Sequence, residues 1–480
     1  MNPAGLFLLI PLVLLGNGLR SVIASTVFVS EGSFASFLSI TVEATAAIME
    51  LLMGAVLVSL LLAPWLMRRV PAKRLAVWMC LLAGVAALGL AGLFRFAPPV
   101  DLRVALVILL FPMAGFALAT LAPISQAWIG MGGPRWGKLL TGVWSVAMPL
   151  AFLVTPQLVR VVAPRHGLDS FFAGFAVVVL LLIGAILLLG RRATEDPAGQ
   201  GPALIPGPLM LAALLALLLF EGLTFVTSIS TVSSPIVLPL AALFAASLWY
   251  LRRTWKSVPR GASAEDASTR RRVLGLFAGL FLLNVATTGF FDTTYLVRHA
   301  CSTTLIDDRA TLAALAQVLA AVGTATALGR WNLHGRFILC GMAIAALGLL
   351  GYLAYPGLLV LSFYGIPDNV VFVGSRLLTG FGSGMATTAT IYAVSRLAGP
   401  RGGAQLFLAF VIIIGTEMGL ESFELLGQVA TLTNGSTLPP YALIFLLQAL
   451  IAAAAMLPVA FLSCGASGSA EGPAPAAKAA

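Results

Sequence analysis

Long apolar stretches separated by short polar segments constrain this chain more than any other feature of its sequence. Hydrophobic residues occupy 60% of its 480 positions and charged residues 10%, whereas soluble proteins have about 45 to 50% apolar and about 25% charged residues. A lipid bilayer can accommodate this composition if every backbone amide is bonded within a helix or a closed barrel. Uninterrupted Leu, Ala, Val and Gly runs fit helices better than barrel strands. The sequence therefore predicts an all-α integral membrane protein.

Apolar windows of about 20 residues, the length that crosses a bilayer as a helix, recur along the whole chain. We predict about fourteen transmembrane helices in total. The predicted spans are 4–30, 36–67, 75–94, 104–130, 139–163, 170–190, 207–227, 234–251, 273–296, 310–329, 337–356, 368–395, 402–430 and 440–463. The seventh and eighth are the weakest, and the sequence leaves open whether they cross the membrane fully.

Basic residues are concentrated in every second loop. The first such loop holds Arg68, Arg69, Lys73 and Arg74, and the longest, 252–272, is basic at both ends. Since basic loops stay in the cytoplasm, we expect both termini to be cytoplasmic. The excess of Arg over Lys, with abundant Ala, Gly and Leu, favours a bacterial inner membrane. This topology explains the net charge of +10, so no nucleic-acid partner is expected.

Internal repetition divides the chain into two halves. Two loop patterns recur at an offset of about 265 residues. Arg68 and Arg74 correspond to Arg330 and Arg336, and residues 133–135 correspond to residues 399–401. The offset maps spans 1 to 6 onto spans 9 to 14, so spans 7 and 8 are an insertion. We expect a six-helix bundle at 1–192, a linker with two extra helices and a basic loop at 193–272, a second six-helix bundle at 273–464, and a disordered cytoplasmic tail at 465–480.

This arrangement resembles the major facilitator superfamily over residues 4–463, and the inserted helix pair resembles its fourteen-span drug/proton antiporter branch. The best local match is 376–384, an arginine followed by spaced glycines, which let helices approach closely. Met67 and Phe111 stand where the family has an acidic and a basic residue. The resemblance implies two pseudo-symmetric six-helix bundles, with the basic loops that hold Arg68, Arg74, Arg330 and Arg336 taking part in gating.

Polar and ionisable side chains inside the predicted spans define the candidate site, because an ionised group costs about 2.5 to 3.5 kcal/mol at the centre of a membrane helix. Span 13 presents Glu417, Glu421 and Glu424 on one helical face. The other candidates are Asn17 and Arg20 in span 1, Glu43 and Glu50 in span 2, Asn284 and Asp292 in span 9, and Arg376 in span 12. Their depths predict a polar cavity between the two halves.

Proton coupling is assigned first to Glu417 and second to Glu421, since desolvation favours the neutral form of a carboxyl group. Glu421 and Glu424 have the alternative of lining a water-filled vestibule. Glu221, near the end of span 7, is expected to be interfacial and solvated.

Two ion pairs are structural alternatives to a role in transport. Arg20 would pair with Glu50 or Glu43, and Arg376 with Asp292.

The predicted function is proton-coupled export of a small organic or amphipathic compound by a monomer that works by alternating access. The alternative is a facilitator or proton-driven importer of a charged metabolite, with Arg20 or Arg376 binding an anionic group. A membrane-embedded lipid transferase is less favoured because no long soluble loop and no acidic metal-binding cluster is present, so we expect no enzyme. The four cysteines lack paired spacing, so no metal or cofactor is expected.

Overall fold

Helices form all the regular structure in the part of the chain that the structure describes. A computed structural model of the protein describes residues 3–40, 42–129, 133–188, 207–229, 236–257, 264–288, 303–330, 333–354, 368–398, 403–432 and 440–463. The helices before the insertion are α1 (Pro3–Leu38), α2 (Val42–Arg69), α3 (Ala72–Phe96), α4 (Val100–Ile129) and the stretch Gly133–Leu188. Gly167, with a φ of 79°, divides this stretch into α5 before it and α6 after it.

The remaining helices follow in the predicted order. They are α7 (Gly207–Ile229), α8 (Val237–Ser257), α9 (Ala264–Thr287), α10 (Thr303–Arg330), α11 (His334–Gly351), α12 (Asp368–Ala398), α13 (Leu408–Leu432) and α14 (Pro440–Ala454). A 3-10 turn, Gly403–Phe407, leads into α13, and the helical segments Met456–Pro458 and Val459–Ser463 extend α14. The predicted all-α fold is confirmed, with each predicted span represented by one helix.

Nine helical stretches within the described residues are long and apolar enough to cross a membrane. They are α1, α2, α3, α4, the combined α5–α6 stretch, α7, α10, α11 and α14. The first inserted helix, α7, therefore has the composition of a membrane span. Over their described residues α8, α9, α12 and α13 do not meet this criterion, so a full crossing by α8 stays a prediction.

The predicted boundary between the first two spans was wrong. α1 continues through the expected loop at 31–35 and ends at Leu38, followed by Ser39 with a φ of 56°. There the Ser39 amide donates to the Ser36 carbonyl at 3.2 Å and the Ile40 amide to the Ala35 carbonyl at 3.0 Å, which caps the last turn. Polar and glycine residues weaken a helix without ending it, so the polar run at 30–33 was a poor boundary signal.

The basic loop 252–272 is also shorter than expected. α8 continues to Ser257 and α9 begins at Ala264, so the basic residues at both ends of the predicted loop lie on helices.

The helices pack in three groups. In the first group α1 packs on α4 and α5, α2 packs on α4, and α3 packs on α4 and α6. In the second group α12 packs on α10 and α11, while α13 and α14 pack on α9. The inserted helices α7 and α8 pair with each other, and α7 lies against α2. The two six-helix groups meet mainly along α5–α10. They also meet where α12 contacts the Gly133–Leu188 stretch, where α13 contacts α2, and where the Gly403–Phe407 turn contacts α2 and α4. These contacts are where the groups would move relative to each other.

Glycines bring α12 against both of its main neighbours. A Cβ atom at Gly380 would lie 2.6 Å from a carbonyl oxygen of α10, and one at Gly384 would lie 2.7 Å from another. On the opposite side, a Cβ atom at Gly382 would lie 2.5 Å from the Gly341 carbonyl oxygen in α11. The glycine pattern at 376–384 thus does what small residues do in membrane proteins, which is to allow backbones to touch.

An aromatic cluster surrounds Phe111 in the first helix group. Phe111 is fully buried and meets the edges of Phe34 and Phe172, with ring centroids 5.6 and 6.2 Å away. Such edge-to-face pairs add stability beyond the area that they bury. The interior of the first group is therefore apolar at Phe111, and its buried charge lies elsewhere.

Candidate functional site

The carboxyl group of Glu417 lies on the side of α13 that faces away from α9. Gly415 and Gly419 hold α13 against α9, since Cβ atoms there would lie 2.8 Å from the Phe281 carbonyl oxygen and 2.5 Å from the Val285 carbonyl oxygen. At 100° per residue, position 417 points opposite to these two glycines. Glu417 is only 4% exposed.

Three more carboxyl groups lie within electrostatic range of Glu417: Glu421 on α13, Glu50 on α2 and Glu221 on α7. Geometry explains the proximity of the last two. A Cβ atom at Gly54 would lie 2.8 Å from Oε2 of Glu221, and Glu50 is one turn from Gly54 on the same face of α2. We call these four residues the acidic seam cluster, because they lie where α2 and α13 join the two helix groups.

Sequence reasoning missed Glu221 as a member of this site. Its Oε1 atom is buried and has no hydrogen-bond partner among the described residues, so the expected full solvation was wrong, while an interfacial position stays a prediction. The available signal was a single carboxylate in an otherwise apolar helix.

Arg20 forms a second buried polar site, between α1 and α5. The side chain is 5% exposed; its Nη2 donates to Asn17 Oδ1 at 3.2 Å and lies 3.6 Å from Met148 Sδ. Asn17 is held by its own bond from Nδ2 to the Trp144 carbonyl at 2.9 Å. Among described residues, Arg20 Nε and Nη1 have no partner, so the alternative of a permanent ion pair with Glu50 was wrong.

A polar network braces α13 beside Glu417. Thr288, just after α9, donates to the Asn284 carbonyl at 2.9 Å and lies 3.2 Å from the Thr416 carbonyl on α13. From α14, Gln448 Nε2 donates to the Thr288 carbonyl at 2.8 Å. Gln448 was not predicted, although a lone amide in an apolar span is itself a signal. The network ties three helices together next to the candidate proton-binding group.

The structure describes the side chains of only some of the other candidate residues. Asn284 is buried and uses its side chain on its own helix, donating to the Leu280 carbonyl at 2.7 Å, and Arg376 is buried on α12. Asp292 and the side chains of Glu43 and Glu424 lie outside the described residues, so the Glu43 alternative for Arg20, the Arg376–Asp292 pair and the role of Glu424 stay predictions.

The candidate gating residues gather at one end of the bundle. Arg68 ends α2, while Arg74 and Arg336 lie in the first turns of α3 and α11, and all three are exposed. The side chain of Arg330 lies outside the described residues. At this end the two helix groups touch: a Cβ atom at Gly142 on α5 would lie 2.9 Å from Ala325 Cβ on α10. The structure therefore has the two groups in contact on the basic side.

The acidic seam cluster has a definite chemical capacity. Carboxyl groups that lie close together in a low-dielectric environment can bind and release protons as a coupled set. Its members sit on two helix groups and on the insertion, so any relative movement of α2 and α13 changes the distances between them.

Comparison by sequence identifies no relative: no protein-family model and no curated protein matches the chain. Comparison by structure identifies similar proteins. The proton:xylose symporter XylE bound to 6-bromo-6-deoxy-D-glucose, described as a major facilitator superfamily protein, superposes with a TM-score of 0.63 at 13% identity, over 96% of this chain and 97% of the symporter. A XylE variant with two tryptophan substitutions gives 0.66 at 14% identity, with the same coverage.

A human protein shows the same likeness. The organic anion transporter MFSD10 superposes with a TM-score of 0.61 at 13% identity, over 96% of this chain and 100% of the transporter. At such identities the similarity shows the fold, which is that of major facilitator transporters with additional helices. The neighbours are transporters and not enzymes, whereas the likeness to the fourteen-span antiporter branch stays a prediction.

Proposed function

We propose that this chain, which has the major facilitator fold, is a secondary active transporter that works by alternating access and exports a small organic or amphipathic compound in exchange for protons. The observation that carries the proposal is the position of Glu417, which is buried where the two helix groups meet. Repeat-built transporters bind their substrate near the middle of the membrane and rock one half against the other. The functions of the structural neighbours, proton:xylose symport and organic anion transport, support the transport class.

In the proposed cycle, protons and substrate compete for the acidic seam cluster. A carboxyl oxygen takes a proton from water on one side, which removes negative charge from the seam and favours release of the substrate. When the groups rock, the proton passes to water on the other side and leaves the carboxylate free for the next substrate. Only O–H bonds form and break, and the proton gradient supplies the driving force.

Transport by everted membrane vesicles tests this proposal. A deletion strain screened against drugs and metabolites supplies the compound, and its accumulation is then followed in vesicles with an acidified lumen. We expect accumulation that stops when a protonophore removes the gradient. Accumulation at the same rate with the protonophore would overturn proton coupling.

The contact between α5 and α10 provides a test of alternating access. In Gly142→Trp, the indole has no room beside Ala325, so we expect the basic end of the bundle to be forced open and transport to fall at least about tenfold, which corresponds to only about 1.4 kcal/mol of conformational bias. The measurement is the labelling rate of Ser145→Cys, on the next turn of α5, by a membrane-impermeant maleimide.

A matched control lies on the other helix of this contact. Gly323 on α10 has no atom within 4 Å of its Cβ direction, so Gly323→Trp should leave the labelling rate and transport close to those of the parent. Equal labelling in both variants would show that the α5–α10 contact does not control access.

A second candidate function, uptake of a charged metabolite, is favoured by one observation. Arg20 is buried with two nitrogen atoms unpaired among the described residues, and an uncompensated buried charge is costly. A carboxylate or phosphate group of a substrate would satisfy both nitrogens with charge-assisted hydrogen bonds.

Replacing Arg20 separates the two functions. In Arg20→Gln we expect the KM for an anionic substrate to rise by about tenfold or more, because a charged hydrogen bond contributes about 1.5 to 3 kcal/mol, while the KM of a neutral substrate stays the same. Proteoliposome uptake with a panel of paired neutral and anionic compounds is the measurement. Arg165→Gln, at an exposed arginine, is the control, and an equal effect on both substrate classes would argue against an anion site.

The organisation of the chain follows from the same proposal. We place the halves at 1–192 and 273–464, the insertion at 193–272 and the tail at 465–480. Both termini face the cytoplasm of a bacterial cell, and the protein works as a monomer in the inner membrane. Protease access to tags at each terminus in intact and everted vesicles would test the orientation.

A further inference from the structure

The inserted helix α7 touches α2 at the level of the acidic seam cluster. Gly54 leaves the space that the Glu221 carboxyl group fills, since a Cβ atom there would lie 2.8 Å from Oε2 and 3.3 Å from the carboxyl carbon. Glu221 is thereby placed one turn from Glu50, on the side of α2 that α7 covers. A helix that served only as a spacer would have no need to direct its one carboxylate into the protein.

Glu221 lacks a partner that a purely structural carboxyl group would have. Its Oε1 atom is buried with no hydrogen-bond partner among described residues, and Glu417 is only 4% exposed. Buried polar groups are normally bonded. An acidic group in such surroundings binds a proton, because the proton is the smallest partner that removes its charge.

The charged groups that face Glu221 are all acidic in the described part of the chain. They are Glu50 on α2 and Glu417 and Glu421 on α13. The paired helix α8 presents no described charge at this level, since Arg252 and Arg253 lie exposed in its last turns. Ionisation of Glu221 therefore adds only repulsion at the α2–α13 contact.

We infer that Glu221 makes the inserted helix pair a working part of the transporter: together with Glu50 and Glu417 it forms a proton-binding contact that holds α2 and α13 together when protonated and separates them when ionised. This inference rests on the proposed proton-coupled alternating access. It assigns a function to the insertion, which becomes one wall of the coupling site.

Distances between spin labels at the end where α2 begins test the inference without a known substrate. Labels at Ser36→Cys on α1 and Leu443→Cys on α14, both exposed, report the separation of the groups in the full-length chain with its native cysteines replaced. The wild-type distance should lengthen as the pH rises from 6 to 9. In Glu221→Gln we expect the midpoint of this change to move up by about one pH unit, since one like charge has been removed from the contact.

A second variant keeps every carboxylate. Gly54→Leu displaces the Glu221 side chain from α2, and we expect its midpoint to move in the same direction, whereas Asp101→Asn, at an exposed carboxylate, should have no effect. Midpoints equal to wild type in both Glu221→Gln and Gly54→Leu would overturn this inference alone. A wild-type distance that does not change with pH would overturn it together with the proposed coupling.

Discussion

Glu417→Gln is expected to reduce gradient-driven transport to the rate of membranes without the protein, while exchange of substrate across the membrane continues. Glutamine has nearly the volume of glutamate and stays neutral, so the packing of α13 between Gly415 and Gly419 is kept. Glutamine at 417 cannot take up or release a proton, whereas the other three residues of the acidic seam cluster are left to bind the substrate. The groups can therefore still rock with substrate bound, but without the coupling proton. The measurement is accumulation against a gradient, compared with counterflow of labelled substrate at equal concentrations.

The control for Glu417→Gln is the same chemical change at an exposed position. Asp101→Asn, in the first turn of α4, should retain both accumulation and counterflow. Wild-type accumulation by the Glu417 variant would remove this residue from the mechanism. Loss of counterflow as well would indicate a defect in movement or folding, and would also contradict the assigned role.

Gly382→Leu is expected to have the largest effect on stability. Its side chain would have to enter the space occupied by the backbone of α11, where Gly341 O lies 2.5 Å from the Cβ position. Backbone cannot move aside as a side chain can, so α11 and α12 must separate. Overpacking costs about 1 to 3 kcal/mol and occasionally more, and contact with backbone places this substitution at the upper end. The measurement is the thermal unfolding midpoint of purified protein in detergent, which we expect to fall by several degrees.

The same helix supplies a matched control. Gly374 on α12 has no atom within 4 Å of its Cβ direction, so Gly374→Leu introduces the same side chain into open space. Its unfolding midpoint should stay near that of the wild type. Equal losses in the two variants would show that leucine at any α12 glycine is harmful, and that close contact with α11 is not the cause.

Much of the fold could be predicted because membrane helices obey a length and hydropathy rule. Each apolar window corresponds to one helix, and the glycines at 376–384 predicted the close packing of α12 against its neighbours. The failures have a common physical origin in residues such as Ser30 to Ser33, which are polar but helix-compatible. Inside a bilayer the backbone bonds to itself, so polar side chains do not end a helix there.

The candidate site was harder to predict because sequence gives the depth of a residue but not its neighbours. Arg20 and Glu50 were placed at similar depth, yet Arg20 bonds to Asn17 on its own helix and to Met148 Sδ on α5. Glu221 belongs to the site only because α7 lies on α2, and no pattern within either helix specifies that choice. By contrast, the face shared by Glu417 and Glu421 follows from helical periodicity alone, and it was predicted.

The glycine contacts on both sides of α12 determine how the second helix group can move. Sliding α12 by one turn, about 5.4 Å, would bring larger side chains into the places where Gly380, Gly382 and Gly384 now touch backbone. Shear between α10, α11 and α12 is therefore blocked, and the three helices must travel as a single rigid body. Labels placed on these helices should keep constant mutual distances through the transport cycle while their distances to α5 change.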